Sequence, residues 1–323
     1  MTSKILKAAG IILGCALMLY CTEQVLQRTL RSCKVGTIGK INSVMNHDLD
    51  VEVTIWGAST AYVNFNPKIL IDSLGYTCIN MGIDGTPIDQ YNGLLEEYLS
   101  YSINSKYVII ALDVHGGLVN RNRLYHLHNW LHHAGNQNIY NCLSDVDPRL
   151  MFKIRHVPFY DLTLYDKHSF PYFRKTILNR KTDYEFDNFG YKPSTIGSID
   201  TSLIQSNTVR KKVLIIGERC LKKALTSSIK AKETNITPII IVTPCFTKGL
   251  DKLTGLDDFL TAINSLKKSG IQVFDLSSCY ISKDPKYFSD NTHLSSVGAD
   301  ELTRLLANKI KNLESQEIRF VPK

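Results

Sequence analysis

The sequence lacks the local motifs that mark several common classes of protein. Its eight cysteines include no CxxC pair, which argues against a structural zinc site. It contains no glycine-rich nucleotide fingerprint, and the turn DGTP (84–87) is not followed by the Gly-Lys-Ser/Thr of a phosphate-binding loop. Neither a zinc finger nor an aromatic RNA-binding motif occurs. Nucleic acid is therefore not expected as a partner.

Metal ligands are also not predicted, although histidine is concentrated in the segment YHLHNWLHHAG. His128 and His132 are four residues apart and could share a helix face, as metal ligands do. However, no acidic residue accompanies the histidines, and Asn129 occupies the position that a metalloprotease gives to glutamate. We interpret the segment, which also contains His126 and His133, as a polar or interface face. The sequence predicts no metal and no cofactor.

Charge of either sign is moderate. Charged residues make up 21% of the 323 residues, and the net charge is +8, which is typical of a globular chain rather than a disordered one. A chain of this length can bury the core of one large domain, or of one domain with an insertion. The basic balance mildly favours an anionic substrate such as an envelope glycan.

The N-terminus carries an uncharged apolar run, AAGIILGCALMLYC, at residues 8–21. As a helix this run rises about 21 Å, less than the roughly 30 Å of a hydrocarbon core. Inclusion of Ile5 and Leu6 and extension to Leu26 give a marginal membrane span. Length alone would also suit a cleaved or lipidated signal peptide, or a buried helix. No small-x-small cleavage site follows, because the run ends in Leu-Tyr-Cys. We predict a membrane anchor and linker over 1–45, whose orientation the flanking basic residues leave open.

From residue 51 onwards, strand-like apolar segments alternate with helical patterns. The segment KYVIIALD is continuously apolar, as expected for an interior strand of a parallel sheet. The alternation predicts an α/β fold, a three-layer doubly wound parallel sheet of about five strands. The predicted strands cover 51–57, 77–82, 106–113, 237–244 and 271–277, and the predicted helices cover Pro67 to Leu74, Ile88 to Tyr101, Leu256 to Ser269 and Ser296 to Leu313.

Residues 114–205 interrupt this alternation. They are rich in aromatics, histidine and asparagine, which predicts an insertion between the third and fourth strands of the domain at 46–323. The aromatic segment FYDLTLYDKHSFPYF could pack in a core, form a lid or rest on a membrane surface. After the insertion, residues 203–233 are predicted to be helical, although VLIIG at 213–217 also has the pattern of a strand.

Residues with catalytic chemistry follow the predicted strand ends, where the active sites of open parallel sheets form. Ser59 follows the first strand, and Asp290 and His293 precede the last helix. A serine hydroxyl needs a neighbouring base to act as a nucleophile, and an imidazole held by a carboxylate is such a base. Backbone N–H groups at Ser59 and Gly82 would bind the oxyanion. Each motif alone is weak, but their order at these strand ends predicts a serine-esterase site.

The same segments resemble the SGNH, or GDSL-type, hydrolase superfamily. The resemblance rests on three blocks, GAS at 57–59, NMGIDG at 80–85 and SDNTHLSSVGADELTRLLANKI at 289–310. It implies that Ser59 is the nucleophile, His293 the base and Asp290 the carboxylate that orients it. By the same resemblance, Gly82 is an oxyanion donor.

The arrangement is closer still to the membrane-anchored, extracytoplasmic bacterial branch of that superfamily. The segments WGASTAYVNFNPKIL, INMGIDG and YVIIALD carry this similarity. The branch includes proteins similar to the D-alanine-transfer protein of teichoic-acid synthesis and to polysaccharide O-acetyltransfer enzymes. The similarity implies a single-pass protein of the cytoplasmic membrane, with its N-terminus inside and its α/β domain in the periplasm or at the cell surface. It covers residues 51–113 and 237–310 and leaves the insertion without a counterpart.

One position departs from the superfamily pattern. The third block normally supplies an asparagine side chain to the oxyanion hole, and the nearest position here carries Asp113. An ionised carboxylate at that point would repel the oxyanion. We expect Asp113 to be turned away and to hold its loop by hydrogen bonds; a protonated carboxyl and slow turnover are the alternatives. Asp113 and His115 are possible substrate contacts, although a structural hydrogen bond would also account for His115.

The sequence thus predicts a serine esterase or O-acyltransferase that forms an acyl-Ser59 intermediate. Water as the acceptor gives an esterase, and a sugar or polymer hydroxyl gives a transferase; the residues do not separate the two. The predicted partner is an acylated envelope glycan or a small ester. The alternatives are a non-catalytic envelope assembly or binding protein of the same fold, and a cytoplasmic nucleotide-binding α/β protein, which would lack its glycine fingerprint.

Overall fold

A computed structural model of the chain describes residues 2–179, 188–194, 212–250 and 253–319. Its strands are β1 (Val53–Gly57), β2 (Cys78–Asn80), β3 (Tyr107–Leu112), β4 (Lys212–Val213), β5 (Thr237–Val242), β6 (Leu253–Thr254) and β7 (Gln272–Asp275). Five of them form one sheet in the order β2-β1-β3-β5-β7, and every neighbouring pair in it is parallel. The five strands of this sheet lie within the five predicted segments, so the predicted doubly wound α/β fold is confirmed.

Helices follow the strands on both sides of the sheet. The α-helices are α1 (Thr2–Arg31), α2 (Gly36–Met45), α3 (Ser59–Asn64), α4 (Pro67–Leu74), α5 (Ile88–Tyr101), α6 (Gln137–Val146), α7 (Pro148–His156), α8 (Ser169–Ile177), α9 (Glu218–Glu233), α10 (Thr247–Leu250), α11 (Leu256–Lys268) and α12 (Ser296–Arg319). The helices α4 and α5 have their predicted bounds, whereas α12 continues past the predicted end at Leu313.

The bounds of α4 follow from its capping residues. Asn66 accepts the N–H of Lys68 on its side chain, and Pro67 occupies the first helical position, where no N–H is needed. Gly75 ends the helix in the left-handed conformation at φ 75°, which glycine adopts without steric cost. Caps of this kind are local, which is why the sequence predicts this helix well.

Successive residues of the central strands face opposite sides of the sheet, and two cores result. One core joins the sheet to α2, α5, α6, α9 and α11, and its strand residues include Trp56, Val108, Ile110, Ile240 and Val242. The other joins the sheet to α3, α4 and α12, and its strand residues include Val53, Ile55, Ile109, Ile239 and Ile241. The domain therefore has three layers.

The helical prediction for residues 203–233 is wrong for residues 212–217, which precede the helix. Residues 203–211 lie outside the described residues. Lys212–Val213 forms a strand that pairs with Leu253–Thr254, and α9 begins only at Glu218. The β-branched residues of VLIIG favour extended backbone.

The segment predicted as a linker contains α2, which belongs to the packed core. Ile41 and Val44 are fully buried in the core that contains α5. Lys40 is also buried, with its ammonium donating to the carbonyl oxygens of Gly82 at 2.9 Å and Gly190 at 2.6 Å. The prediction of a boundary at residue 45 therefore places part of the domain core in the linker.

The preceding helix, α1, is long and apolar enough to span a membrane. Its apolar window is unburied, whereas its end packs on the domain. Leu26 and Leu30 contact a small apolar cluster that includes Tyr165, Tyr172 and Phe173 of the insertion. The candidate membrane span therefore leads directly into this part of the insertion.

The predicted polar or interface face of the insertion contains two buried histidines. The Nε2 atoms of His132 and His133 lie 3.1 and 2.7 Å from Asn42 Oδ1. The amide nitrogen of Asn42 donates to the carbonyl oxygens of Leu30 and Cys33. This network joins the end of α1 to the insertion. Within the described ranges, no group of three or more His, Cys, Asp or Glu side chains is placed to hold a metal ion.

Candidate active site

A tight turn brings Ser59 to the end of β1. Gly57 ends the strand, and Ser59 is the first residue of α3. A Cβ on Gly57 would lie 2.6 Å from the Ala61 Cβ and 2.7 Å from the carbonyl oxygen of Ala111. Because those distances are too short for a side chain, only glycine lets α3 turn so closely over the strand ends.

Ser59, His293 and Asp290 form one hydrogen-bonded chain. Ser59 Oγ lies 2.8 Å from His293 Nε2, and His293 Nδ1 lies 2.6 Å from Asp290 Oδ2. With Nδ1 protonated, the ring donates to Asp290, and Nε2 is left to accept the hydroxyl proton of Ser59. The geometry is that of a nucleophile, a base and a carboxylate that orients the base.

The loop that carries Asp290 and His293 is closed on itself. Asp290 Oδ1 accepts the N–H groups of Thr292 and His293, both at 2.8 Å. The N–H of Ser289 donates to the carbonyl oxygen of His293 at 2.9 Å. Because Asp290 and His293 are three residues apart, the Asp290 carboxylate can bind both the loop backbone and the imidazole ring.

The charges of this loop support a role of His293 as a base. Burial alone would raise the pKa of Asp290, but hydrogen bonds from the His293 ring and from the N–H groups of Thr292 and His293 lower that pKa to about 2. Burial would lower the pKa of His293, but the hydrogen bond and charge of Asp290, with the charges of Asp113 and Asp84, raise it above its ordinary value. An ionised Asp290 stabilises the imidazolium that forms when the serine loses its proton.

Asn64 is a residue of the site that the sequence analysis missed. Its side chain is buried, donates to the carbonyl oxygen of Thr292 at 2.9 Å and accepts the N–H of Leu294 at 2.8 Å. It therefore holds the backbone on both sides of His293. The sequence shows that Asn64 follows Ser59 by five residues. However, no local pattern predicts that α3 contacts the loop that carries His293.

The structure contradicts Gly82 as an oxyanion donor. Its N–H donates to Asn80 Oδ1 at 2.9 Å, and its carbonyl oxygen accepts the ammonium of Lys40. Gly82 is also packed against the backbone of Ala61 and Tyr62, where a Cβ would not fit. Both polar groups of this glycine are thus engaged inside the protein.

Gly85, in the same segment, lies where Gly82 was expected. It lines a cavity of about 170 Å³ together with Ser59. Its φ of +64° is left-handed, which glycine adopts readily. The N–H groups of Ser59 and Gly85 donate to no residue in the described part of the chain. In the sequence, Gly85 is recognisable only as part of a turn that leads into α5.

Asp113 also lines this cavity and is half-buried. Its carboxylate has no hydrogen bond or ion pair with any described residue, whereas its carbonyl oxygen accepts the N–H of Gly117. The backbone, and not the carboxylate, therefore holds the loop, and the expectation that Asp113 holds it by side-chain hydrogen bonds is wrong. His115 lines the cavity as well, with Nε2 3.4 Å from Cys245 Sγ. Contact of either residue with substrate stays a prediction.

Comparison with known proteins gives similarity to solved structures only. No family model matches the chain, and no curated protein matches it. A protein from Desulfitobacterium hafniense assigned to the G-D-S-L family of lipolytic proteins is 13% identical, with a TM-score of 0.37 over 80% of this chain and 98% of its own. A protein from Bacteroides fragilis assigned as an acylhydrolase is 16% identical, with a TM-score of 0.38 over 81% of this chain and 87% of its own.

Proposed function

We propose that this chain is an SGNH-type serine esterase or O-acyltransferase that works through an acyl-Ser59 intermediate. The observation that carries the proposal is the pair of short contacts at His293, 2.8 Å to Ser59 Oγ and 2.6 Å to Asp290 Oδ2. The SGNH-like blocks of the sequence support it. A nucleophile in contact with an oriented base is the arrangement that acyl transfer needs.

In the first half of the reaction, His293 Nε2 takes the hydroxyl proton while Ser59 Oγ attacks the ester carbonyl. Asp290 stabilises the imidazolium. The oxyanion is bound by the N–H groups of Ser59 and Gly85, which have no described protein acceptor and border the same cavity. When the tetrahedral intermediate collapses, His293 returns the proton to the leaving alcohol, and the acyl group stays on Ser59.

In the second half, an acceptor hydroxyl loses its proton to His293 and attacks the acyl-serine. When this second tetrahedral intermediate collapses, the bond between the acyl group and Ser59 Oγ breaks, and His293 returns the proton to Ser59. Water gives the free acid, and a sugar or polymer hydroxyl gives a new ester. The open cavity beside Ser59 is compatible with both. We propose an acylated glycan of the cell envelope as the substrate, since the net charge of +8 favours an anionic polymer.

The proposed location is the outer side of the cytoplasmic membrane. Helix α1 serves as a single-pass anchor with its N-terminus inside, and the α/β domain follows in the periplasm or at the cell surface. Two features support this: the unburied apolar window of α1 and the similarity of the sequence to the membrane-anchored SGNH branch.

Labelling with a serine-reactive fluorophosphonate tests the proposal. We expect the full chain in mild detergent to be labelled, and Ser59→Ala and His293→Asn to abolish labelling. Ser315, an exposed serine of α12, provides the matched control, and Ser315→Ala should be labelled as strongly as the wild type. Absence of labelling in the folded wild type, or labelling that survives Ser59→Ala, would refute the enzyme proposal.

A second candidate function is non-catalytic, an envelope assembly or binding protein that retains the fold. The unpaired carboxylate of Asp113 beside Ser59 favours it, because a negative charge there opposes an oxyanion. The same labelling experiment separates the two candidates, since only an activated serine reacts with the fluorophosphonate.

A further inference from the structure

A second cavity, of about 380 Å³, adjoins the turn that carries Gly85. Its wall includes Asp84 of that turn and residues of the insertion. His126 lines it and reaches the Ser59 side, because its Nε2 is 3.2 Å from the position of a Cβ on Gly85. The two cavities therefore lie next to each other, separated by this turn and the His126 ring.

The second cavity is lined by more positive than negative charge. Lys175 of α8 and Lys192 both line it, and neither forms an ion pair with a described carboxylate. Asp84 is the carboxylate among the lining residues, so the lining carries two ammonium groups against one carboxylate. Lys192 Nζ also lies over the Tyr62 ring, 5.9 Å from its centroid. Two ammonium groups without a carboxylate partner on one concave surface attract an anion.

Imidazole rings form another part of the lining. The ring of His128 contacts two other histidine rings of the lining. Its centroid lies 5.9 Å from that of His126 and 5.7 Å from that of His168. His126 holds a left-handed backbone at φ 47°, which is unfavourable for a residue with a Cβ. Strain of this kind is concentrated at functional sites.

Asn129 provides an independent sign of a missing ligand. It lines the cavity, is 5% exposed, and its Oδ1 is buried without a hydrogen-bond partner. Buried side-chain polar atoms are normally hydrogen-bonded. Since amide oxygen and nitrogen positions are interchangeable by a flip, this side chain can present N–H donors to an anion in the cavity.

The cavity lies at the level where the candidate membrane helix meets the domain. Tyr172 of α8 lines the cavity and also packs on the cluster at the end of α1. The same helix exposes Phe170 and Ile177, 66% and 62% accessible, and Leu178 follows it at 59%. Apolar side chains beside basic ones are typical of a helix that rests on a membrane surface.

We propose that this cavity, the cationic cavity, binds a phosphate group through Lys175, Lys192 and the amide of Asn129. Phosphate offers several acceptor oxygens and up to two negative charges, which match ammonium and amide donors. Its two possible sources are the headgroup of a membrane lipid and a soluble phosphorylated sugar or polyol. The proposal does not depend on Ser59, because none of these groups takes part in the acyl-transfer chemistry.

Calorimetric titration of full-length Ser59→Ala protein in neutral detergent with glycerol 3-phosphate tests the site. We expect saturable binding, and no binding of glycerol. Lys175→Ala and Lys192→Ala should each weaken it about tenfold, the effect of one charge-assisted contact. Arg174→Ala, which removes an exposed charge of the same helix outside the cavity lining, should leave affinity unchanged. Thermal unfolding checks that each variant is folded.

Vesicles distinguish the two sources. If the ligand is a lipid headgroup, binding to phosphatidylglycerol–phosphatidylcholine vesicles should exceed binding to phosphatidylcholine vesicles and should weaken with Lys175→Ala but not with Arg174→Ala. If it is soluble, vesicle binding should not distinguish the two variants, while glycerol phosphate binding still does. The proposal is overturned if neither probe binds, or if Lys175→Ala and Arg174→Ala behave alike with both probes. Fluorophosphonate labelling of Ser59 is read separately, so its failure leaves this test intact.

Discussion

Asn64 clamps the backbone on both sides of His293, accepting from the N–H of Leu294 and donating to the carbonyl oxygen of Thr292. The same short helix, α3, begins at Ser59. One rigid element therefore sets the distance between the proposed nucleophile and the proposed base. We therefore infer that Asn64 is a positioning residue, which would act on the proposed reaction through His293.

Replacement of Asn64 should reduce turnover more than it reduces binding. Asn64→Ala frees the histidine loop, and a shift of about 1 Å at a reacting group costs up to roughly a hundredfold in rate. We expect kcat on p-nitrophenyl acetate to fall about ten- to a hundredfold with a smaller change in KM. Asn66→Ala, which removes a cap of α4 and a contact with Asp300, is the control. Equal losses of kcat in both variants would show that Asn64 acts only through stability.

The activity of the wild type should rise with pH. His293 must be neutral to accept the serine proton, and Asp290 together with Asp113 and Asp84 raises its pKa above the ordinary 6.5. The protonated, inactive form is therefore retained to a higher pH than for an isolated histidine. A profile of kcat/KM against pH should have its acid limb centred above 6.5. A limb centred below 6.5 would mean that burial dominates the environment of His293.

Asp113→Asn should raise activity and move that limb to lower pH. The substitution removes a negative charge that raises the pKa of His293. It also replaces a carboxylate in the Ser59 cavity by an amide, and one added oxyanion donor is worth on the order of 3 kcal/mol, or roughly a hundredfold in rate. Rates on p-nitrophenyl acetate and the pH profile measure the two effects. A slower enzyme with an unchanged profile would mean that Asp113 serves the substrate or the loop.

The sheet and several helices could be predicted because their signals are local. Strands such as Tyr107–Leu112 are buried on both faces and are therefore apolar throughout, and α4 is bounded by a proline and a glycine with defined capping roles. The helical prediction for residues 212–217 failed because the segment gave two opposite signals. It continues into a helical pattern, but its β-branched residues favour a strand, and pairing with Leu253–Thr254 makes residues 212–213 a strand.

The residue types of the candidate site could be predicted from the sequence, but most of the hydrogen bonds that position them could not. The spacing of Asp290 and His293 is local, but the contact of Asn64 with Thr292 joins positions 228 residues apart, which no periodicity reveals. The choice between Gly82 and Gly85 depends on where the Asn80 amide points. Both glycines stand in one six-residue block, and only the fold decides which N–H is left without a protein acceptor.

The buried pair His132 and His133 should make the fold sensitive to acid. Burial lowers the pKa of both, that of His133 to about 3 and that of His132 well below 6.5. The unfolded chain binds protons below about pH 6.5 and the folded chain does not, so stability is fully present above 6.5 and falls as the pH is lowered towards 3. Each histidine contributes a slope of about 1.4 kcal/mol per pH unit in that range.

Urea unfolding of the full chain in detergent between pH 7 and pH 5 measures this effect. His133→Gln can keep an amide donor for Asn42 while removing one titrating group, so its stability should depend less steeply on pH. His156→Gln changes an exposed histidine of α7 and should keep the wild-type slope. Identical slopes in all three proteins would contradict the assignment of acid sensitivity to His133.

Two truncations separate the proposed membrane anchor from the domain core. The full chain should resist carbonate extraction, because the apolar window of α1 is unburied. Removal of residues 1–21 takes away the apolar run but leaves the end of α1 that packs on Tyr172 and Phe173. We expect that shorter chain to be soluble and to unfold cooperatively near the temperature of the full chain.

Removal of residues 1–45 should instead prevent folding, although this cut follows the boundary that the sequence suggested. It deletes α2, whose Ile41 and Val44 fill the core against α5, and burial of each such side chain is worth about 1.5–3 kcal/mol. It also removes Lys40, leaving the carbonyl oxygens of Gly82 and Gly190 without their donor, at a further cost of about 1–3 kcal/mol for each group left buried. These losses approach the whole stability of a typical domain, about 5–15 kcal/mol. Recovery of a folded chain that begins at residue 46 would show that α2 is dispensable, and release of the intact full chain by carbonate would rule out the anchor.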